Sequence, residues 1–374
     1  MTLEGISEIH IVGIGGAGMS AIARVLHGRG ITVHGSDRRS SPLTQALQAE
    51  GIGVVVGHQA DNVGQAELVL ASSAVPDDNV ELIAAARRGI SIVRRPDFLP
   101  ALTVGYDVIA VAGAHGKTTV TGMIAMILIE AGLDPTYIVG GVVANLGTNA
   151  RAGTGRYFVI EADEYRNTFL ALRPKVAVVT NVEFDHPDCF PDIDHVRLAF
   201  DRFVDRITPD GLLVACGDDP HARAIATSYH ANGGRVEVYG QGPDLDLGWR
   251  ALDIHSNERG GVSFSVQRPD MAGRELVGEV ELRIPGDFNA VNALAALSVA
   301  AELGIDLQIA RRALSAFEGT ARRFEVLGEV EQVTVIDDYA HHPTQIRGVL
   351  RAARRRYGDR RLVAVWEPHT FSRV

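Results

Sequence analysis

The feature that most restricts the fold is the strand-like run Asp107-Val108-Ile109-Ala110-Val111. It passes directly into Ala112-Gly113-Ala114-His115-Gly116-Lys117-Thr118-Thr119 and then into an apolar helical stretch ending near Ala131. A buried strand, a glycine-bearing turn and a helix in that order belong to a parallel α/β sheet whose crossover helices cover its faces. The turn has the parts that phosphate binding requires: glycines that let backbone N–H groups approach oxygen, a lysine that reaches outer phosphates, and a hydroxyl for Mg²⁺. It departs from the strict G-x-x-x-x-G-K-[ST] spacing, because Val111 stands where the first glycine would be and Gly113 follows two residues later. A chance Gly-Lys-Thr turn is the bland alternative, and the apolar strand in front of it argues the other way. Gly113, Ala114, His115, Gly116, Lys117, Thr118 and Thr119 are therefore the expected contacts to ATP.

Around this unit the chain repeats the same alternation. Ile9–Gly13, Ala17–Gly30, Ile31–Ser36, Pro42–Glu50 and Leu68–Ser72 read as strand, helix, strand, helix, strand. Beyond the loop, strands are expected at Tyr157–Glu161, Val176–Thr180, Gly211–Ala215 and Val236–Tyr239, and an antiparallel appendage between Leu245 and Ile284. Ala290–Leu303 reads as a helix stopped by Gly304, with a second helix to about Phe317. A last unit is expected from strand Val333–Ile336, helix Thr344–Arg355 and strand Leu362–Trp366. With 374 residues, two or three cores are required.

Charge and cysteine content exclude several functions. The net charge is −10, from 36 basic and 46 acidic residues, and no basic stripe is long enough to track a nucleic-acid backbone. Cys189 and Cys216 stand far apart in no metal-ligand spacing, which fits a reducing compartment. There is no basic leader, and no apolar run approaches the roughly 18 residues of a membrane span, so a cytoplasmic protein is expected.

Chemistry-bearing residues recur where strands end, which in an open parallel sheet is where ligands bind. Glu161-Ala162-Asp163-Glu164 and Asn181-Val182-Glu183-Phe184-Asp185-His186 follow two of the strands and supply groups that could hold Mg²⁺; taken singly, either could be a set of solvated loop acids. Gly13-x-Gly15-Gly16-x-Gly18 resembles a dinucleotide fingerprint. No obvious second half for nicotinamide follows it and a complete phosphate loop comes next, which argues against a plain NAD site; the pyrophosphate of another nucleotide, such as a UDP-sugar, could rest on the same helix start. Asp37 is then placed for a ribose or base contact, beside the strand that ends in Ser72-Ser73. Asn289 and Asn292, at i and i+3 of one helix, share a face that could read a base edge, although helix capping would account for Asn289. Arg323 lies where an arginine could reach a transferring γ-phosphate from a neighbouring domain. Asp337-Asp338-Tyr339-Ala340-His341-His342-Pro343 and Glu367-Pro368-His369 again follow strands.

Seven motifs in order carry a family resemblance. They are Gly13-Ile14-Gly15-Gly16-Ala17-Gly18-Met19-Ser20, Ala71-Ser72-Ser73-Ala74-Val75, His115–Thr119, Glu161–Glu164, Arg322-Arg323-Phe324-Glu325, Asp337–Pro343 and Pro368-His369-Thr370-Phe371-Ser372-Arg373. Together they make the chain resemble the Mur ligases of peptidoglycan synthesis. The resemblance implies an α/β, three-domain architecture: a Rossmann-like UDP-sugar domain (1–105), a central phosphate-loop ATPase domain (106–321) and a partial Rossmann-like amino-acid domain (322–374). The third domain of that family continues past the position of Val374, so the chain is expected to end part-way through it. The implied reaction is ATP-driven ligation of L-alanine to UDP-N-acetylmuramate, with ligation of a murein tripeptide, or nucleotide-sugar binding without turnover, as alternatives. By position, Lys117, His186, Arg323, Asp338 and His341 resemble the catalytic group; Thr118, Glu161 and His186 the metal site; Asn289 and Asn292 the adenine contacts. Gly15, Gly16, Gly18, Met19, Asp37, Ser72 and Ser73 resemble the UDP-sugar contacts, and His341, His369 and Arg373 the amino-acid contacts.

Overall fold

The computed structural model describes residues 2–242, 248–270 and 273–367. Its first body alternates β1 (Glu8–Val12), α1 (Ala17–Gly28), β2 (Thr32–Asp37), α2 (Pro42–Ala49), β3 (Gly53–Val56), β4 (Leu68–Ala71), α3 (Val80–Arg87), β5 (Ser91–Arg94) and α4 (Arg95–Thr103). The five strands form a parallel sheet in the order β3-β2-β1-β4-β5, with Ile9 opposite both Val33 and Leu68. The strand order reverses between β1 and β4, so their carboxyl ends open a crevice. Gly13 after β1 and Ser72 after β4 meet there: a Cβ on Gly13 would lie 3.0 Å from that of Ser72.

The central body continues with β6 (Asp107–Ala112), α5 (Lys117–Glu130), β7 (Thr136–Val143), β8 (Thr148–Arg151), β9 (Tyr157–Glu161), β10 (Val176–Val179), α6 (Ile193–Val204), β11 (Leu212–Cys216), α7 (Pro220–Ala231) and β12 (Arg235–Gly240). Then come β13 (Trp249–Ser256), β14 (Val262–Asp270), β15 (Gly273–Glu281), α8 (Asp287–Glu302) and α9 (Leu307–Ala316). All ten strands share one sheet, in the order β15-β14-β13-β12-β11-β10-β6-β9-β7-β8. The expected antiparallel appendage is thus not separate. β13 pairs parallel to β12 through Tyr239 and Trp249, and β14 and β15 extend the same sheet antiparallel. β6 sits between β9 and β10, which brings three strand ends to one place.

Helix α5 is apolar on every side because it is covered on every side, by the sheet, by α8 and by α9. The first body is anchored to the centre by α1, which packs on β7 and β8. Arg24 donates to Asn149 Oδ1 at 2.8 Å in that buried seam, and Gly28 is needed because a Cβ there would come within 2.9 Å of Ala152.

The last body differs from expectation. β16 (Glu325–Val330) and β17 (Val333–Asp337) form an antiparallel hairpin, followed by α10 (Pro343–Tyr357). The strand expected at Leu362–Trp366 does not form. Val363 and Val365 stand open to solvent, 73% and 96% exposed, so no packing holds that segment against a sheet edge. Strand β16 is the partner that the sequence reading lacked.

Candidate active site

The phosphate loop is held from below by the end of β10. Asn181 accepts the His115 N–H on Oδ1 at 2.8 Å and the Ala114 N–H on its carbonyl at 3.1 Å, and its amide donates to the His115 carbonyl at 3.1 Å. The Thr180 hydroxyl donates to the same carbonyl. Two glycines make this close fit possible. Gly113 has φ 140° and a Cβ there would fall 2.0 Å from Thr180 Oγ1; Gly116 has φ 82° and its Cβ would fall 2.7 Å from Asn292 Oδ1. Gly116 is also the N-cap of α5, and no side chain caps the helix. The first N–H groups of α5 are therefore the orphan donors that make a helix start an anion site.

Lys117 does not point into open space. Its Nζ donates to both oxygens of Glu164, at 3.0 and 2.8 Å, and to the Gly113 carbonyl. Burial opposes charge on both partners, yet each is held in its charged form. The carboxylates of Glu164, Asp163 and Glu161 keep the ammonium above its ordinary pKa, and Lys117 with His186 brings the Glu164 carboxyl down to about 2. His186 Nε2 lies 3.6 Å from the other side of Glu164; burial lowers its pKa, but Glu164 and Asp185 outweigh this and raise it. His186 adopts φ 57°, a strained left-handed backbone for a residue with a side chain. Glu161 accepts the Gly140 N–H at 2.7 Å on the opposite flank, and Thr118 is buried on the first turn of α5. The lysine, histidine and acids expected from sequence thus converge, around a carboxylate, Glu164, that sequence reasoning had not singled out.

Beside the loop lies a cavity of about 1010 Å³. Its walls include Gly116 and Thr119 of the loop, Asn289 and Asn292 of α8, and Arg323 and Asp338 from the third body. Helix α10 runs along it, with Gln345, Arg347 and Arg351 among the lining residues. Asn289 is not a helix cap: Gly286 occupies that position, while Asn289 donates to the Pro285 carbonyl at 2.7 Å and accepts from Asn292 at 3.0 Å. Asp338 accepts the N–H groups of Phe324 and Ala340, both at 2.7 Å; burial nevertheless raises its carboxyl above the usual range. The Arg323 guanidinium lies 5.5 Å from the Tyr339 ring centre. His341 Nδ1 meets the Tyr339 carbonyl at 2.9 Å, with Nε2 4.0 Å from Asp185. His369 and Arg373 lie outside the described residues.

The first glycine loop leads into a second uncapped helix start, at α1, whose N-cap Gly16 again has no side-chain cap. Asp37 closes it by accepting the Gly15 N–H at 2.9 Å, and a Cβ at Gly15 would meet Asp37 and Thr44 at 2.8 Å each. A Cβ at Gly18 would lie 2.7 Å from the guanidinium carbon of Arg95, which also reaches Asp163 of the central acids at 3.9 Å. Ser72 holds Arg94 through its carbonyl at 2.8 Å, next to Ser73. Met19 is 2% exposed, so its side chain packs in the core rather than facing the crevice.

A glycine loop at a helix start, a buried lysine among acids and a cavity walled by a third body define a multidomain nucleotide-dependent enzyme of the phosphate-loop kind. Comparison with known proteins sharpens this. The model for the Mur ligase family, catalytic domain, matches residues 8–106, that for the Mur ligase middle domain 111–300, and that for the Mur ligase, glutamate ligase domain 322–370. The chain belongs to the Mur ligase family. UDP-N-acetylmuramate--L-alanine ligase of Arthrobacter sp. (strain FB24) is 45% identical over 374 residues, which is 100% of this chain and 78% of that protein. The same-named enzyme of Renibacterium salmoninarum is also 45% identical, over 372 residues, again 100% and 78%. Among solved structures, UDP-N-acetylmuramate-alanine ligase from Thermotoga maritima superposes with a TM-score of 0.80 at 30% identity, covering 94% of this chain and 78% of that one. A murein peptide ligase from Psychrobacter arcticus gives 0.79 at 30%, covering 98% and 79%.

Proposed function

We infer that the chain joins L-alanine to UDP-N-acetylmuramate with cleavage of ATP to ADP and phosphate, as a cytoplasmic step of peptidoglycan precursor synthesis. The observation that carries this reading is 45% identity along the whole chain to enzymes named for that reaction. The fold does not choose between this and a murein peptide ligase, since both kinds superpose almost equally well.

In the proposed reaction a muramoyl carboxylate oxygen attacks the γ-phosphorus, the bond to the ADP oxygen breaks, and an acyl phosphate forms. The alanine nitrogen then attacks the acyl carbon, loses a proton, and the bond to phosphate breaks. Catalysis of this kind needs alignment and neutralisation of charged oxygens rather than a protein nucleophile. The orphan N–H groups of α5 bind phosphate, and Lys117 exchanges Glu164 for the outer phosphates as they arrive. Arg323 reaches the γ-phosphate from the third body, and Asn289 and Asn292 face the base. Gly15, Gly16, Gly18 and the backbone of Met19 take the UDP pyrophosphate, with Asp37, Ser72 and Ser73 at the edge of that crevice. His341, with His369 and Arg373, is assigned to the incoming amino acid.

The hydroxyl of Thr118 and the carboxylate of Glu161 are the hard oxygen donors that suit Mg²⁺, His186 is assigned to the same ion from across Glu164, and the ion would screen charge on the phosphate oxygens. The division at 105/106 and 321/322 belongs to the same proposal and is supported by the three separate sheets.

Phosphate release tests the reading. With ATP, Mg²⁺ and UDP-N-acetylmuramate present, L-alanine should stimulate it and L-alanyl-γ-D-glutamyl-meso-diaminopimelate should not. Stimulation by the peptide alone would overturn it.

A further inference from the structure

Three side chains from two bodies meet at the mouth of the phosphate loop: His115 of the loop, Glu183 after β10, and His342 at the start of α10. Their ligand-type atoms lie within 4.8 Å of one another, as in a metal site. Following the hydrogens gives a different answer. The side-chain oxygen of Gln345 accepts the backbone N–H groups of His341 at 3.0 Å and His342 at 3.3 Å, capping α10. Its amide nitrogen must therefore be the end that faces His115, and it lies 2.7 Å from His115 Nδ1. An amide N–H can only donate, so Nδ1 is the bare nitrogen and Nε2 carries the proton. Nε2 in turn lies 3.2 Å from Glu183 Oε2 and donates to it. That proton occupies the lone pair a cation would need, so the cluster is a hydrogen-bonded bridge.

The far end of the bridge closes on the third body. Glu183 Oε2 also accepts from the Thr344 hydroxyl at 2.9 Å and lies 3.1 Å from His342 Nδ1. His115 first, then the Thr344 hydroxyl and the nearby His342 ring, outweigh burial and hold the Glu183 carboxyl below its ordinary range. Donation runs from the α10 backbone through Gln345 and His115 into Glu183, where it meets a second donor from α10, the Thr344 hydroxyl.

We propose that Gln345 is a positioning residue: by donating to Nδ1 it sets the tautomer of His115, and through His115 and Glu183 it registers the third body on the phosphate loop. The tautomer is independent of which reaction the site performs; only the kinetic consequence rests on the proposed ligase activity. Gln345 has two jobs, capping α10 and donating to His115, and one substitution separates them. In Gln345→Glu the carboxylate still accepts the two backbone N–H groups but cannot donate. His115 can then keep both contacts only by carrying a proton on each nitrogen.

The test is ¹⁵N NMR of the full chain with labelled histidine, the His115 signal being assigned by its loss in His115→Asn. At neutral pH the wild type should show a protonated Nε2 and a bare Nδ1, and Gln345→Glu should show both nitrogens protonated with thermal stability retained. In the ligase assay Gln345→Ala should raise the KM for ATP about three- to tenfold, the scale of one lost hydrogen bond, with a smaller change in kcat. A wild-type His115 protonated on Nδ1, or the same nitrogen pattern in wild type and Gln345→Glu, would overturn the proposal. If neither chain turns over while the NMR pattern holds, the ligase reading fails and the positioning role stands.

Discussion

Lys117 and Glu164 form the pair on which the active-site residues turn. Both are nearly buried, so each is stable as an ion only because the other is there. Removing the carboxylate while leaving the ammonium should destabilise the unliganded protein by about 3 kcal/mol. Triphosphate oxygens can replace that carboxylate. A thermal melt of Glu164→Gln should therefore fall well below wild type without nucleotide, and most of the gap should close with a saturating non-hydrolysable ATP analogue. A gap of the same size with and without nucleotide would show that the lysine does not transfer to phosphate. The lysine was legible in the sequence from its place in the loop, but its partner was not. Glu161, Asp163 and Glu164 are equivalent on paper, and only the course of the chain after β9 decides which carboxylate meets Nζ.

At the scale of elements, strands and helices were read most securely where a short-range pattern sufficed. β1, β6, β9 and β10 are apolar runs ending in glycine, acid or polar residues, and their expected positions agree with the structure within a residue or two. β7 is an apolar run interrupted by Gly140 and Gly141, and β16 leaves Val326, Leu327 and Val330 exposed, so neither shows a clean pattern, and pairing with a neighbour completes each strand. Helix α3 is tied to its sheet in a way that periodicity does not show. Glu81 is fully buried and accepts from Ser36 at 2.5 Å and Asn62 at 2.6 Å, with His10 at 3.4 Å and His58 at 3.2 Å. Burial alone would raise its carboxyl, but these partners bring it to about 2 from an ordinary 4.5. A carboxyl held low in the folded state adds stability above pH 4.5, and that contribution fades as pH falls towards 2. Denaturant titrations should accordingly find Glu81→Gln less stable than wild type at pH 6, with the difference shrinking steadily between pH 4.5 and 2. A difference independent of pH would remove the charge from the explanation.

At the scale of the whole molecule, the third body is placed over the nucleotide cavity by contacts of unequal worth. Arg355 pairs with Asp287 across the seam, but both side chains are about half exposed, and such pairs contribute well under 1 kcal/mol. Asp287→Ala should leave the KM for ATP within about twofold of wild type. Arg323 lines the same cavity as Asp287 and Arg355 but differs in its proposed role: if it meets the transferring phosphate, Arg323→Ala should lower kcat on the order of 10³-fold. Steady-state kinetics on the two variants separates docking from catalysis, and equal effects would contradict the assignment. The sequence alone determined the strand–glycine loop–helix units and the crevice-facing ends of their strands. Hydrophobic period, glycines at positive φ and uncapped helix starts are properties of a few consecutive residues. Tertiary structure decided the rest: the single ten-stranded sheet, the partner of Lys117, the hairpin where a parallel unit was expected, and the Gln345–His115 contact. Those depend on which surfaces pack together and on side chains 47 to 230 residues apart, and no local preference encodes a partner that distant.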